Sequence, residues 1–177
     1  MSLPTLVLVP GLMCDHAVWQ PLIPALSAQR RCVVIDHGDS EDLSDMAARL
    51  LAQAPARFAL AGHSMGGRVA LEVMRLAPER VTHLALMDTG YLPKVPGQAG
   101  EDEVAKRQAL LQIARAQGVR AMARDWVQGM VHPARLGDAP LIESILDMFE
   151  RKSSDLFARQ IKALLNRPDA TPVLQAL

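Results

Sequence analysis

The chain has 177 residues, half of them hydrophobic, and nineteen Lys and Arg balance nineteen Asp and Glu. That length suits one compact domain with room for an inserted subdomain. Balanced charge gives no single-sign field, which speaks against nucleic acid or an anionic membrane as partners. Aromatic residues are only 3%, so Leu, Ala, Val and Met must fill the core.

The amino terminus, MSLPTLVLVPG, has no basic flank. Its apolar run is too short for a signal peptide or a membrane span. Cys14 and Cys32 form no framework of close pairs. Reduced thiols in the cytoplasm are therefore expected.

Four short apolar runs follow in chain order: Leu6–Val9, Cys32–Ile35, Phe58–Ala61 and Leu84–Met87. Continuous apolar runs of this length suit strands buried on both faces of a parallel sheet. Between the first two lies AVWQPLIPALSAQ, a helix candidate broken by Pro21 and Pro24. Leu43, Met46, Ala47, Leu50 and Leu51 then recur at helical spacing. Val69, Ala70, Val73, Met74 and Leu76 do the same before Pro78 stops the helix. The alternation predicts an open α/β sheet with right-handed crossovers.

After Asp88 the pattern changes. TGYLPKVPGQAGED reads as a loop. From about Glu101 to Asn166 the periodicity is helical, with four segments marked by Leu110–Ile113, Met122–Val131, Leu141–Phe149 and Leu156–Leu165. A helical insertion after such a sheet predicts a lid over a site. The division expected is 1–90 for the core, 91–167 for the lid and 168–177 for the start of a return to the core.

The stretch Gly62-His63-Ser64-Met65-Gly66 satisfies G-x-S-x-G, with FALA before it and GRVALEVMRLA after it. Strand before and helix after are the context in which this motif signifies a nucleophile elbow. The sharp turn holds the serine in a strained conformation, and the flanking glycines let backbones pass closely. The plainer reading of GHSMGG is a glycine-rich turn. An acyl-transfer site also needs two backbone N–H groups aimed at the oxyanion. Met65, just after the serine, supplies one candidate. Leu12, after the Pro10-Gly11 turn that ends the first strand, supplies the other. The five histidines have no metal-ligand spacing, and neither metal nor cofactor is expected.

These pieces resemble the α/β-hydrolase superfamily, in its lid-bearing group of small bacterial esterase-like hydrolases. The resemblance rests on VLVPGLMCDHAVW, VVIDHGDS, LAGHSMGGRVALEVMRLAPERV, LALMDTG and FARQIKALLNRPDATPVL. Many relatives carry His-Gly where this chain has Pro10-Gly11, and a longer turn after the second strand. The resemblance implies an α/β-hydrolase fold, an open and mostly parallel sheet flanked by helices with a helical lid. It implies a serine hydrolase acting on a small ester, thioester or related acyl substrate, with carbon–carbon hydrolysis left open. Serine at position 64 argues against the dehalogenases and epoxide hydrolases of the superfamily, which use aspartate there. The family's chain order is serine, acid, histidine.

The usual acid and histidine follow strands beyond the lid, and the sequence reaches Leu177 where the next strand should begin. The expectation is a chain that lacks those C-terminal strands, is inactive in isolation, and associates with itself through an exposed sheet edge. Asp88, at the end of the fourth strand, is the alternative acid, against a loop or helix-cap role. His63 is expected to pack at the elbow and point away from the serine hydroxyl. His132 sits in the lid, His16 and His37 lie in loops near the catalytic edge, and His83 is inside a strand. None has the context of the family base. Met122, Trp126 and Met130 are candidates for an apolar lid pocket, against lid-core packing. The competing functional class is a non-catalytic α/β-hydrolase-like protein that binds a ligand or partner.

Overall fold

The computed structural model describes residues 3–177. A four-stranded parallel sheet has the order β2-β1-β3-β4, with β1 Thr5–Val9, β2 Arg31–Val34, β3 Phe58–His63 and β4 Val81–Met87. The two inner strands, β1 and β3, are the apolar ones. Val7, Leu8 and Val9 are buried, as are Phe58 to Gly62. Each inner strand must be covered on both faces, which is why its apolar run is unbroken.

Two long helices serve the sheet. Helix α2, Leu43–Gln53, is capped by the Asp42 carboxylate, which accepts from Ser44 N–H at 2.8 Å and Asp45 N–H at 3.1 Å. Helix α3, Met65–Leu76, follows β3 with a single residue between them, Ser64. The two helices pack together, and Ser44 Oγ donates to the buried Glu72 carboxylate at 2.7 Å. The segment AVWQPLIPALSAQ forms only one 3-10 turn, His16–Val18, and a short helix α1, Ile23–Ser27. Its prolines allow no longer helix.

Four longer helices follow β4: α4 Gln98–Gln117, α5 Val119–Met130, α6 Ala139–Glu150 and α7 Ser154–Leu165. Helix α4 begins inside the stretch whose composition predicts a loop. Gly97, at φ 73°, turns the chain into it, and packing against α5 and α7 outweighs the weak helix propensity of Gly100. The four helices enclose Leu111, Met122, Leu146, Phe149, Phe157 and Ile161 in a core continuous with that of the sheet. After α7 comes a short helix, α8 Thr171–Gln175, against α3. No helix among the described residues is long and apolar enough to cross a membrane.

Candidate active site

Ser64 sits between β3 and α3 at φ 54°, ψ −119°. A non-glycine residue in this region stores about 1–3 kcal/mol of strain and persists only where its surroundings hold it. Here they do. Ser64 N–H donates to Met87 O at 2.9 Å, at the end of β4. Ser64 O accepts from Gly67 N–H at 3.0 Å and from Thr89 Oγ1 at 2.8 Å. A Cβ added at Gly62 would lie 2.7 Å from Gly67 Cα, so the strand and helix backbones nearly touch across the turn.

The first loop meets the same turn. A Cβ added to Gly11 would lie 3.2 Å from Ser64 Cβ and 3.2 Å from His63 Nδ1. Leu12 therefore follows a backbone already in contact with the serine. Among the hydrogen bonds of the described residues, neither Leu12 N–H nor Met65 N–H donates to a protein acceptor. The next N–H along, that of Met13, is taken by the side chain of Gln160 on α7 at 2.8 Å, where Gln160 is itself buried. Met13 adopts φ 61°. The other brace is His37, whose Nε2 lies 2.8 Å from Pro10 O. Burial, opposed by that hydrogen bond, lowers the His37 pKa. A neutral ring donating from Nε2 fits both observations.

No histidine nitrogen of the described residues hydrogen-bonds the Ser64 hydroxyl. His63 packs at the elbow against Gly11. His132 is exposed and accepts from Ala134 N–H at 3.2 Å, capping a 3-10 turn. His16 is exposed beside Asp15, and His83 lies on the exposed side of β4 next to Thr82. Asp88 is exposed at the end of β4 with φ 47°.

A cavity of about 210 Å³ opens on Ser64. Met65, Arg68, Asp88, Glu103, Arg107 and Arg167 all line it. Met122, Trp126 and Met130 do not. Met122 is fully buried in the core, Trp126 packs on Phe149 and Phe157, and Met130 is exposed. The cavity is thus polar and arginine-rich, not the apolar pocket that methionine and tryptophan would give. The sequence did carry one signal for it. Arg68 lies in the first turn of the helix that follows Ser64, where a side chain inclines toward the amino-terminal end.

Glu103 anchors the cavity wall. Arg167 grips it with both nitrogens at 2.7 Å, and Arg107 Nη2 adds 2.8 Å. Hydrogen bonding from Arg167 is the largest cause that takes its pKa from an ordinary 4.5 to about 2. A depressed acid stabilises the fold above its unfolded value and loses that contribution as pH falls through the folded one. The difference corresponds to roughly 3 kcal/mol, and partial exposure brings the measurable share to about 1–2 kcal/mol. Glu103→Gln should therefore cost about 1–2 kcal/mol in urea unfolding at pH 7. That deficit should shrink as pH is lowered from about 5 toward 2. A deficit that does not change with pH would show that the carboxylate's charge contributes nothing.

The fold and the serine turn define an α/β hydrolase. A family model described as Alpha/beta hydrolase family matches residues 6–174, and the chain belongs to that family. A Pseudomonas putida protein, the dihydrolipoyllysine-residue acetyltransferase component of an acetoin cleaving system, is 34% identical over 88% of this chain and 43% of its own length. A pimeloyl-[acyl-carrier protein] methyl ester esterase from Aliivibrio salmonicida is 39% identical over 45% of this chain and 33% of its own. The chain thus spans less than half the length of these relatives. Among solved structures, a Thermogutta terrifontis esterase superposes with TM-score 0.82 at 24% identity, over 100% of this chain and 68% of that one. An enol-lactonase from Burkholderia xenovorans gives TM-score 0.83 at 22%, over 97% and 68%. At these identities the structural likeness concerns the fold.

Proposed function

We propose that this chain carries the nucleophile and oxyanion half of a serine hydrolase acting on a small ester, thioester or related acyl substrate. The observation that carries the reading is Ser64 itself, a strained non-glycine residue braced by Met87 and Thr89 at the mouth of a cavity. A plain turn has no need of such strain. Ser64 Oγ attacks the acyl carbon, and the carbonyl oxygen becomes an oxyanion held by the Leu12 and Met65 N–H groups. The amino-terminal end of α3 adds to that stabilisation. The serine proton passes to a general base and from it to the leaving alkoxide or thiolate. Water then cleaves the acyl-enzyme by the same route. An ester substrate is supported by the methyl ester esterase among the relatives, and acyl chemistry by the acetyltransferase component.

The base in this mechanism is none of the described histidines, and Asp88 stays a proposed alternative acid only. The 177-residue chain by itself is therefore expected to turn esters over about 10⁴-fold or more below a complete triad. A robust rate abolished by Ser64→Ala would overturn that. The natural gene product treated with a fluorophosphonate should gain one adduct, on Ser64, as read by intact and peptide mass spectrometry. A product that stays unlabelled would favour the non-catalytic, ligand-binding reading.

The same proposal places the protein in the cytoplasm, which the two free cysteines support. It also includes self-association. Strand β4 is an edge of the sheet, and Thr82, His83 and Ala85 are exposed along it. An apolar edge with unpaired backbone groups favours pairing with another copy. Light scattering of the 177-residue chain should give a mass above the monomer; a clean monomer at high concentration would contradict it.

A further inference from the structure

We propose that Arg68 makes the Ser64 cavity an anion-selecting site, so that the acyl group it takes bears a carboxylate of its own, as in a half-ester of a short dicarboxylic acid. This deepens the serine hydrolase reading and rests on it for the reaction, though not for the binding.

The argument begins with charge. Three guanidinium groups, Arg68, Arg107 and Arg167, line the cavity against two carboxylates, Asp88 and Glu103. One positive charge is left over. Glu103 is already shared by Arg107 and Arg167. Asp88 is exposed at the same cavity and forms no ion pair with Arg68 among the described residues. Arg68 is the guanidinium left without an acid. It is half-buried, and its hydrogen bond is to a neutral acceptor, Leu92 O at 3.0 Å. It reaches across Gly90, where an added Cβ would lie 2.8 Å from its Nη2. Burial, and then the charge of Arg167, bring its pKa down to about 10. A cation held in this way gains most from an incoming anion, because one contact offsets both its desolvation and its repulsion. The planar guanidinium also suits bidentate pairing with a carboxylate.

Geometry sets the distance from the reacting centre. Arg68 is in the first turn of α3, four residues after Ser64, and both line the cavity. The anionic end of the substrate would therefore lie a few bonds from the attacked carbonyl. The cavity of about 210 Å³ is below the roughly 300–1,000 Å³ usual for drug-sized ligands. Both features point to a short acid.

The test uses monomethyl succinate and its neutral counterpart of equal length, methyl 4-oxopentanoate, titrated into the protein by calorimetry or by NMR. The half-ester should bind about 10-fold or more tightly, a preference that weakens with salt. Arg68→Met should erase the preference to within about 2-fold, while Arg68→Lys retains part of it. Circular dichroism and thermal melting establish that each variant is folded. Equal affinity for the two probes, no binding of either, or a preference that survives Arg68→Met would overturn the proposal. Ser64→Ala should leave the preference intact. A preserved preference with a Ser64 inert to fluorophosphonate would sink the hydrolase reading alone, and a reactive Ser64 with no preference would sink the anion site alone.

Discussion

Gly66→Ala should cost about 3 kcal/mol or more, a large share of the roughly 5–15 kcal/mol that holds a typical domain together. The added methyl would run into the Val9 carbonyl oxygen and sit 2.5 Å from that of Pro10. Both obstacles are backbone, so no rotamer change relieves them. Either β1 or the start of α3 must move, and each carries part of the proposed site. Leu12 follows the one, and Met65 begins the other. The control is Gly129→Ala. Gly129 is exposed in the last turn of α5, and nothing lies within 4 Å of an added Cβ. Alanine there should gain up to about 0.5 kcal/mol, because glycine costs about 0.5–1 kcal/mol in a helix interior and less in the last turn. Urea unfolding of the two variants should give opposite signs. A tolerated Gly66→Ala would mean that the first strand and the elbow helix do not approach as closely as described.

Phe149→Ala should destabilise the protein by about 3–5 kcal/mol. Phe149 is 1% exposed and meets Trp126 edge to face, with ring centroids 5.4 Å apart. Phe157, from α7, lies 5.5 Å from the same indole. These rings join α5, α6 and α7 in a chain that is otherwise poor in aromatics, so truncation leaves a cavity that small aliphatic neighbours fill incompletely. At roughly 2–4 °C per kcal/mol for a domain of this size, Tm should fall by about 10 °C. Met130→Ala, at a residue 44% exposed, should shift stability by less than about 0.5 kcal/mol. If lid and sheet unfold together, as their continuous core suggests, Trp fluorescence and circular dichroism will report one transition. Two separate transitions would show that the lid melts alone.

The sequence by itself determined the sheet, the elbow and most of the helices. Buried parallel strands demand unbroken apolar runs, and amphipathic helices demand a repeat near 3.6, so both are written locally. The G-x-S-x-G turn is likewise local, because its glycines and its serine are contiguous. The ends of elements were less legible. Strand β4 begins at Val81, ahead of the apolar run, because the exposed edge tolerates Thr82 and His83. Helix α4 begins at Gln98 because its partners α5 and α7 override a poor local propensity.

Only the tertiary structure decided what surrounds the serine. His37 and Gln160 are remote in sequence from the loop they brace, and nothing in their neighbours marks them for that role. Glu103 and Arg167 are 64 positions apart and meet at 2.7 Å. Charge balance summed along the chain comes to zero, yet the cavity on Ser64 holds one positive charge more than it neutralises. Periodicity records which face of an element is buried. It does not record which buried or half-buried charges from distant elements come to share a wall, because that depends on how helices α4–α7 pack against the rest of the chain.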